Sequence, residues 1–219
     1  MSIFGTPANG NNGARFVSSL AASAVDTSTG DLVVVGIGWS DGGTVSGVTD
    51  TAGNTYSALT KRTAGATGFM QFWYVIGATA NASNVVTAAM SQSNNYTTIF
   101  VWDVPVTATP SYDTDSNVGT ASSGVSGAFT TTGTDELVLA FSLDGFGSDS
   151  YAAASGYTFD GDYGTFSGAA HGAFSTTLSG TQTVFSSVPS TSFTIAVAFK
   201  GSGGPPPPAS GQPVVCIMQ

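Results

Sequence analysis

TSTGDLVVVGIGWSDGG, beginning at Thr27, and TTTGTDELVLAFSLDGFG, beginning at Thr130, are the two stretches on which the fold turns. Each opens with hydroxyl residues and a glycine, Gly30 in the first and Gly133 in the second. Each then runs into an apolar segment, from Leu32 and from Leu137, and closes on Asp and Gly. Val, Ile, Leu and Phe without helical i, i+3, i+4 spacing, bounded by turn-forming residues, read as β-strand. A second pair follows in the same order. ASNVVTAAMSQSNNYTTIFVWDV (Ala82–Val104) and TQTVFSSVPSTSFTIAVAF (Thr181–Phe199) each give a short strand, a polar loop and an apolar strand. The repeated order predicts two related β-units, about residues 15–108 and 120–200.

Between the repeats, FMQFWYVI (Phe69–Ile76) reads as another strand. Alternation puts Phe69, Trp73 and Val75 on one face and Met70, Phe72, Tyr74 and Ile76 on the other, so both faces need cover. One should meet the opposite sheet, the other a long loop or another subunit. SDGG (Ser40–Gly43), DTAGN (Asp50–Asn54) and DGDYG (Asp160–Gly164) supply turn chemistry. The expected fold is all-β: an antiparallel, jelly-roll-like sandwich over residues 15–200, built from the two pseudo-repeats and preceded by an N-terminal arm at 1–14.

After Lys200 the composition changes to GSGGPPPPASGQP, a linker over 201–213 in which Pro205–Pro208 predict a stiff polyproline II spacer. An apolar peptide follows at 214–219, with Val214, Val215, Cys216, Ile217 and Met218. By shape it is a docking peptide, able to add a strand to a neighbour's sheet edge. Cys216 is the only cysteine, which excludes an intrachain disulfide.

Charge narrows the function. Of 219 residues only 8% are charged, 29 are Gly, and thirteen acids face four basic residues, Arg15, Lys61, Arg62 and Lys200, for a net charge of −9. Phosphate binding needs clustered Lys or Arg, so nucleic acid and anionic membrane surfaces are poor partners. No run approaches the length of a membrane-spanning helix. MSIFGTPANGNNG lacks a basic start and a long apolar stretch, so assembly outside the general secretory route is expected. A surface rich in hydroxyls and poor in charge suits close packing of identical copies, and homo-oligomerisation is the expected state.

Catalytic constellations are sparse. His171 is the only histidine and Glu136 the only glutamate, and no G-x-S-x-G turn is present. Paired aspartates among Asp144, Asp149, Asp160 and Asp162 would be needed for glycan hydrolysis, and turn formation explains them with less. No enzyme is expected, and no cofactor beyond a possible calcium ion. Asp160 and Asp162 in DGDYG, with Asp144, are hard oxygen donors on glycine-flexed loops, and Asp50 with Asn54 is a weaker pair. Trp39, Tyr157 and Tyr163 are the candidate platforms for stacking on a glycan, ahead of Tyr56 and Tyr112, whereas Trp73 and Trp102 lie mid-strand and read as core.

DTAGNTY before an aromatic strand, then NVVT, a polar loop, TTIFVWDV, and a second pass ending in TIAVAFK resembles β-sandwich proteins of bacteriophages and bacterial surfaces, over about residues 25–200. The resemblance implies a jelly-roll-like sandwich exposed on a virion or cell surface and carries over no catalytic residue. The expectation is a non-enzymatic virion protein, a capsid decoration, head fibre or tail fibre component, bound to other virion or surface proteins through its tail and contacting host glycans. Alternatives are a secreted carbohydrate-binding or adhesin module and an extracellular filament subunit.

Overall fold

The computed structural model describes residues 2–29, 32–119, 123–144, 151–163, 167–189 and 192–201. Among these are eighteen strands, numbered in chain order, and no helix. One central sheet runs β1 (Ala8–Ala14), β9 (Thr97–Val104), β3 (Leu32–Ser40), β7 (Gly68–Val75) and β5 (Ser57–Ala58), with β6 (Arg62–Ala64) also on β7. The other runs β10 (Ser111–Asp115), β18 (Phe193–Lys200), β12 (Glu136–Leu143), β15 (Ser167–Phe174) and β14 (Thr158–Tyr163). Every ladder in both is antiparallel. Residues 8–14, expected in an arm, instead pair along β9 as an edge strand.

The two central sheets pack face to face. Val34, Phe72, Phe100 and Trp102 from one interlock with Leu139, Phe141, Val197 and Phe199 from the other. Gly36 on β3 is the socket for Phe141: a Cβ at Gly36 would lie 2.8 Å from its ring. Phe141 meets Phe72 edge-on, with centroids 5.2 Å apart. Both seams at the sheet edges are tied. Asn11 Nδ2 donates to the Asp162 carbonyl on one side, and Arg62 pairs with Asp115 at 3.0 Å on the other.

The outward faces of these sheets are covered by the chain itself. Over the first lies a three-stranded sheet, β2 (Val17–Ala21), β8 (Val86–Asn94) and β4 (Val45–Asp50), whose Leu20, Val48, Val86 and Met90 pack on Val33, Val35, Ile37 and Trp39. Over the second lie two ribbons, β11 (Phe129–Thr130) with β16 (Ser179–Gly180) and β13 (Ala152–Ala153) with β17 (Phe185–Ser187). Phe129, Tyr151, Val184 and Phe185 there cover Val138, Ala140, Ala196 and Ala198. The result is four layers. It explains why β9 and β12 are buried at every position. The cover expected from a loop or a second subunit comes from these outer layers. Met70, Phe72, Tyr74 and Ile76 face the central core while Phe69, Trp73 and Val75 face the outer one, the division that alternation requires.

Candidate ligand-binding site

The register of the central ladders brings six strand ends to one end of the stack. Ser40 pairs with Gly68, Trp39 with Thr97, and Leu143 with both Ser167 and Phe193. Thr98 and Ser167 join the two sheets there through a 2.9 Å hydroxyl contact. The turn leaving β3 is held by left-handed residues, Asp41 (φ 67°), Gly42 (φ 88°) and Gly43 (φ 70°). Aspartate tolerates that region better than most side chains. Asp41 is fastened from three directions: its N–H donates to the Thr67 carbonyl, its carboxylate accepts from the Asn95 N–H, and its carbonyl accepts from Gln92 Nε2. Gly65 (φ 66°) lies against the Phe193 ring, which a Cβ would approach to 3.0 Å.

These turns enclose a cavity of about 390 Å³, lined by Arg15, Asp41, Asn95, Tyr96, Asp144 and Phe193 with the 64–68 turn. Asp144 is 1% exposed. The volume lies within the range of small-ligand sites, and an apolar wall with a few converging polar groups is their usual lining. The carboxylates of Asp41 and Asp144, the amide of Asn95 and the guanidinium of Arg15 are the polar groups of this lining. Beside Arg15, Phe16 is 72% exposed and holds φ at 56°. For an aromatic residue that conformation is strained, and such strain persists where the surroundings impose it.

No protein-family model, curated protein or solved structure matches this chain. The site is therefore defined by its own geometry.

Most residues singled out from the sequence lie elsewhere. Trp39 is fully buried, stacks on Phe69 and donates its indole N–H to the Gly42 carbonyl, so it supports the turn from beneath and presents no face to a glycan. Tyr157 is half-buried against Phe174, whose ladder partner Glu136 marks the opposite end of the stack. Burial pushes its hydroxyl pKa up. Tyr163 belongs to the cavity end, opposite Ser167, but its side chain lies outside the described residues, as do Asp149 and residues 214–218.

Asp160 and Asp162, the expected calcium donors, are set in different surroundings, one buried and one exposed. Asp160 is the extra residue of a β-bulge between Phe159 and Gly161, which turns its side chain inward to 3% exposure. One carboxylate oxygen meets His171 Nδ1 at 2.6 Å and the other accepts from the Trp102 indole at 2.7 Å. Both oxygens are engaged, while Asp162 is exposed. Asp50 and Asn54 also serve the fold. Asp50 accepts from the Asn54 N–H and amide, the Tyr56 hydroxyl and the Asn84 amide. Burial pushes the Asp50 carboxyl up, but these donors outweigh it and hold the group below its ordinary range.

A second polar cluster occupies the opposite end. Asp113 is the bulged residue of β10 and accepts from Lys200 Nζ (3.0 Å), the Thr132 hydroxyl (2.6 Å) and the Thr132 N–H (2.6 Å). Burial raises its pKa, and these partners more than reverse the effect. Glu136, fully buried, takes the Gly133 N–H on Oε1. Burial pushes it up to about 7, against the pull of the Gly133 N–H and with the help of the neighbouring Asp113 carboxylate.

Sequence reasoning missed Arg15, Asp41 and Asn95, which line the cavity. The turn signal at Ser40–Gly43 was readable, but which turns meet is set by the ladders.

Proposed function

We propose that this chain is a non-enzymatic structural protein of a virion surface, a capsid decoration or fibre component, anchored through its Pro-rich tail and presenting the cavity end to host glycans. The supporting observation is polarity along the stack. Gly201, the root of the tail, is bonded to the Asp135 carbonyl beside Ile3, at the end where Glu136 pairs with Lys200. The cavity lies at the other end, a strand length of roughly 25 Å away. Anchor and ligand site are thus separated by the full height of the sheets.

The two halves are read as pseudo-repeats of one sandwich unit. Numbering the four principal strands of each central sheet by chain order, both sheets run first, fourth, second, third: β1-β9-β3-β7 and β10-β18-β12-β15. That agreement supports duplication, and the same order offers no support for jelly-roll connections.

Quantitative peptide mass spectrometry on density-purified particles tests the virion reading. Enrichment at fixed stoichiometry with capsid protein is expected; enrichment in the soluble secreted fraction without capsid protein would replace it with a secreted adhesin. Glycan binding is tested separately by array and calorimetry, where Asn95→Ala, at an exposed residue of the cavity lining, should weaken affinity by about tenfold with the fold unchanged, equivalent to about 1.4 kcal/mol. Equal binding by the variant would remove the cavity from the glycan site.

A further inference from the structure

We propose that Lys200 and Asp113 condense autocatalytically to a side-chain isopeptide bond, with Glu136 relaying the protons. Three strands converge on the reaction. Lys200 ends β18 and is paired across the ladder with Ser111 of β10 on one side and Glu136 of β12 on the other. The bulge after Tyr112 turns Asp113 back onto Lys200, whose Nζ lies 3.0 Å from Oδ1. Asp113 is 2% exposed. Thr132 fixes both partners, accepting from Nζ at 2.6 Å while its N–H and hydroxyl hold the two Asp113 oxygens. Glu136 Oε2 is buried and meets no donor among the described residues.

The chemistry balances without an external reagent. Lys200 lies directly across the ladder from Glu136. A rotation that carries its ammonium from Thr132 to the unpaired Oε2 lets ionised Glu136 take one proton and return it to Asp113 Oδ1 against the lowered pKa of that carboxyl, giving a minor state with a neutral amine beside a neutral carboxyl. Nζ then attacks Cγ. Negative charge gathers on Oδ2, where the Thr132 N–H already points, a preorganised donor of the oxyanion-stabilising kind. A second Nζ proton travels through Glu136 to Oδ1, the Cγ–Oδ1 bond breaks and water departs. The third proton stays on the amide nitrogen, and Glu136 is regenerated. Overall, one ammonium and one carboxylate become one amide and one water. Holding amine and carboxyl in a single geometry replaces a bimolecular encounter by an intramolecular one. A pKa near 7 suits Glu136 to accept and return a proton at neutral pH. The adjoining cavity of about 350 Å³, lined by Ser111, Thr132 and Lys200, gives the water a route out.

Intact mass spectrometry of the denatured full chain decides the matter. The expected mass is lower by one water than the sequence requires, and a chymotryptic digest should contain a branched peptide joining the Asp113 and Lys200 segments. Lys200→Arg and Glu136→Gln should both show the full mass while circular dichroism retains the β signal. In Asp113→Asn, where the leaving group is ammonia, the loss should be one ammonia instead of one water. A wild-type chain of full mass, with no branched peptide, overturns the proposal. Unchanged water loss in Glu136→Gln would overturn the role given to Glu136.

Discussion

Phe141 and Gly36 show at the scale of single residues how two similar halves come to fit each other. Aligning the repeats from Leu32 and Leu137 places Gly36 opposite Phe141 and Gly38 opposite Leu143. The structure sets each small residue against its large counterpart: Phe141 enters at Gly36 and Leu143 at Gly38. Phe141→Ala should lower the unfolding free energy by about 3–5 kcal/mol, because the surrounding Phe72, Phe100 and Gly36 cannot collapse into the space. Gly36→Val should cost about 1–3 kcal/mol by overpacking. Denaturant unfolding measures both, and near-additive losses in the double variant would deny the contact its role. The Asp50 knot makes a pH prediction. Its carboxyl binds a proton less readily in the folded than in the unfolded chain, so its stabilisation is full above the ordinary carboxylate range and declines as pH falls through the lowered value. Asp50→Asn should flatten the acid limb of a stability profile, which thermal melts across pH would record.

At the scale of elements, β-bulges direct the polar chemistry. Edge strands β14 and β10 each carry one, and each inserts an aspartate, Asp160 or Asp113, into a place that regular alternation would have denied it. Asp160→Ala would leave the Trp102 indole and His171 Nδ1 without their shared acceptor, at a cost of about 3 kcal/mol for the two groups. The Trp102 indole proton resonance should shift in the same variant, and an unmoved resonance with full stability would contradict the account. These bulges also mark where sequence reading stops. Leu32–Ile37, Thr97–Val106, Leu137–Leu143 and Phe193–Phe199 were legible as strands because apolar β-formers bounded by turns leave few alternatives, and the observed elements extend them by a few residues or trim them. DGDYG instead read as a turn carrying candidate calcium donors, since one extra residue in a ladder has no compositional marker. Trp39 was misplaced for a related reason: its position beside SDGG suggested a loop, whereas β3 carries it into the core before the turn begins.

On the scale of the whole molecule, both faces of each central sheet are dry, and the polar working parts are confined to the two ends of the stack. Alternation revealed that strands such as β7 required two covers. It could not reveal that half-polar strands such as β8, buried at Val86, Ala88 and Met90 and exposed at Ala89 and over 91–93, would provide the second one. Removing residues 202–219 should leave the unfolding midpoint within experimental error, because every described residue of the central core lies at or before Phe199, while abolishing the proposed incorporation into particles. Melting curves and particle mass spectrometry separate the two effects, and loss of folding on truncation would refute the assignment of the tail as an anchor.

The place of β18 gives the proposed anchoring a mechanical meaning. The tail leaves from a strand held on one side by β10 and on the other by β12, so tension applied at Gly201 runs along the strand axis. Two ladders then resist as lap joints, sharing the load over many hydrogen bonds at once, whereas an edge strand pulled sideways would peel one bond at a time. A load applied through Gly201 would meet the stiffest direction of the protein.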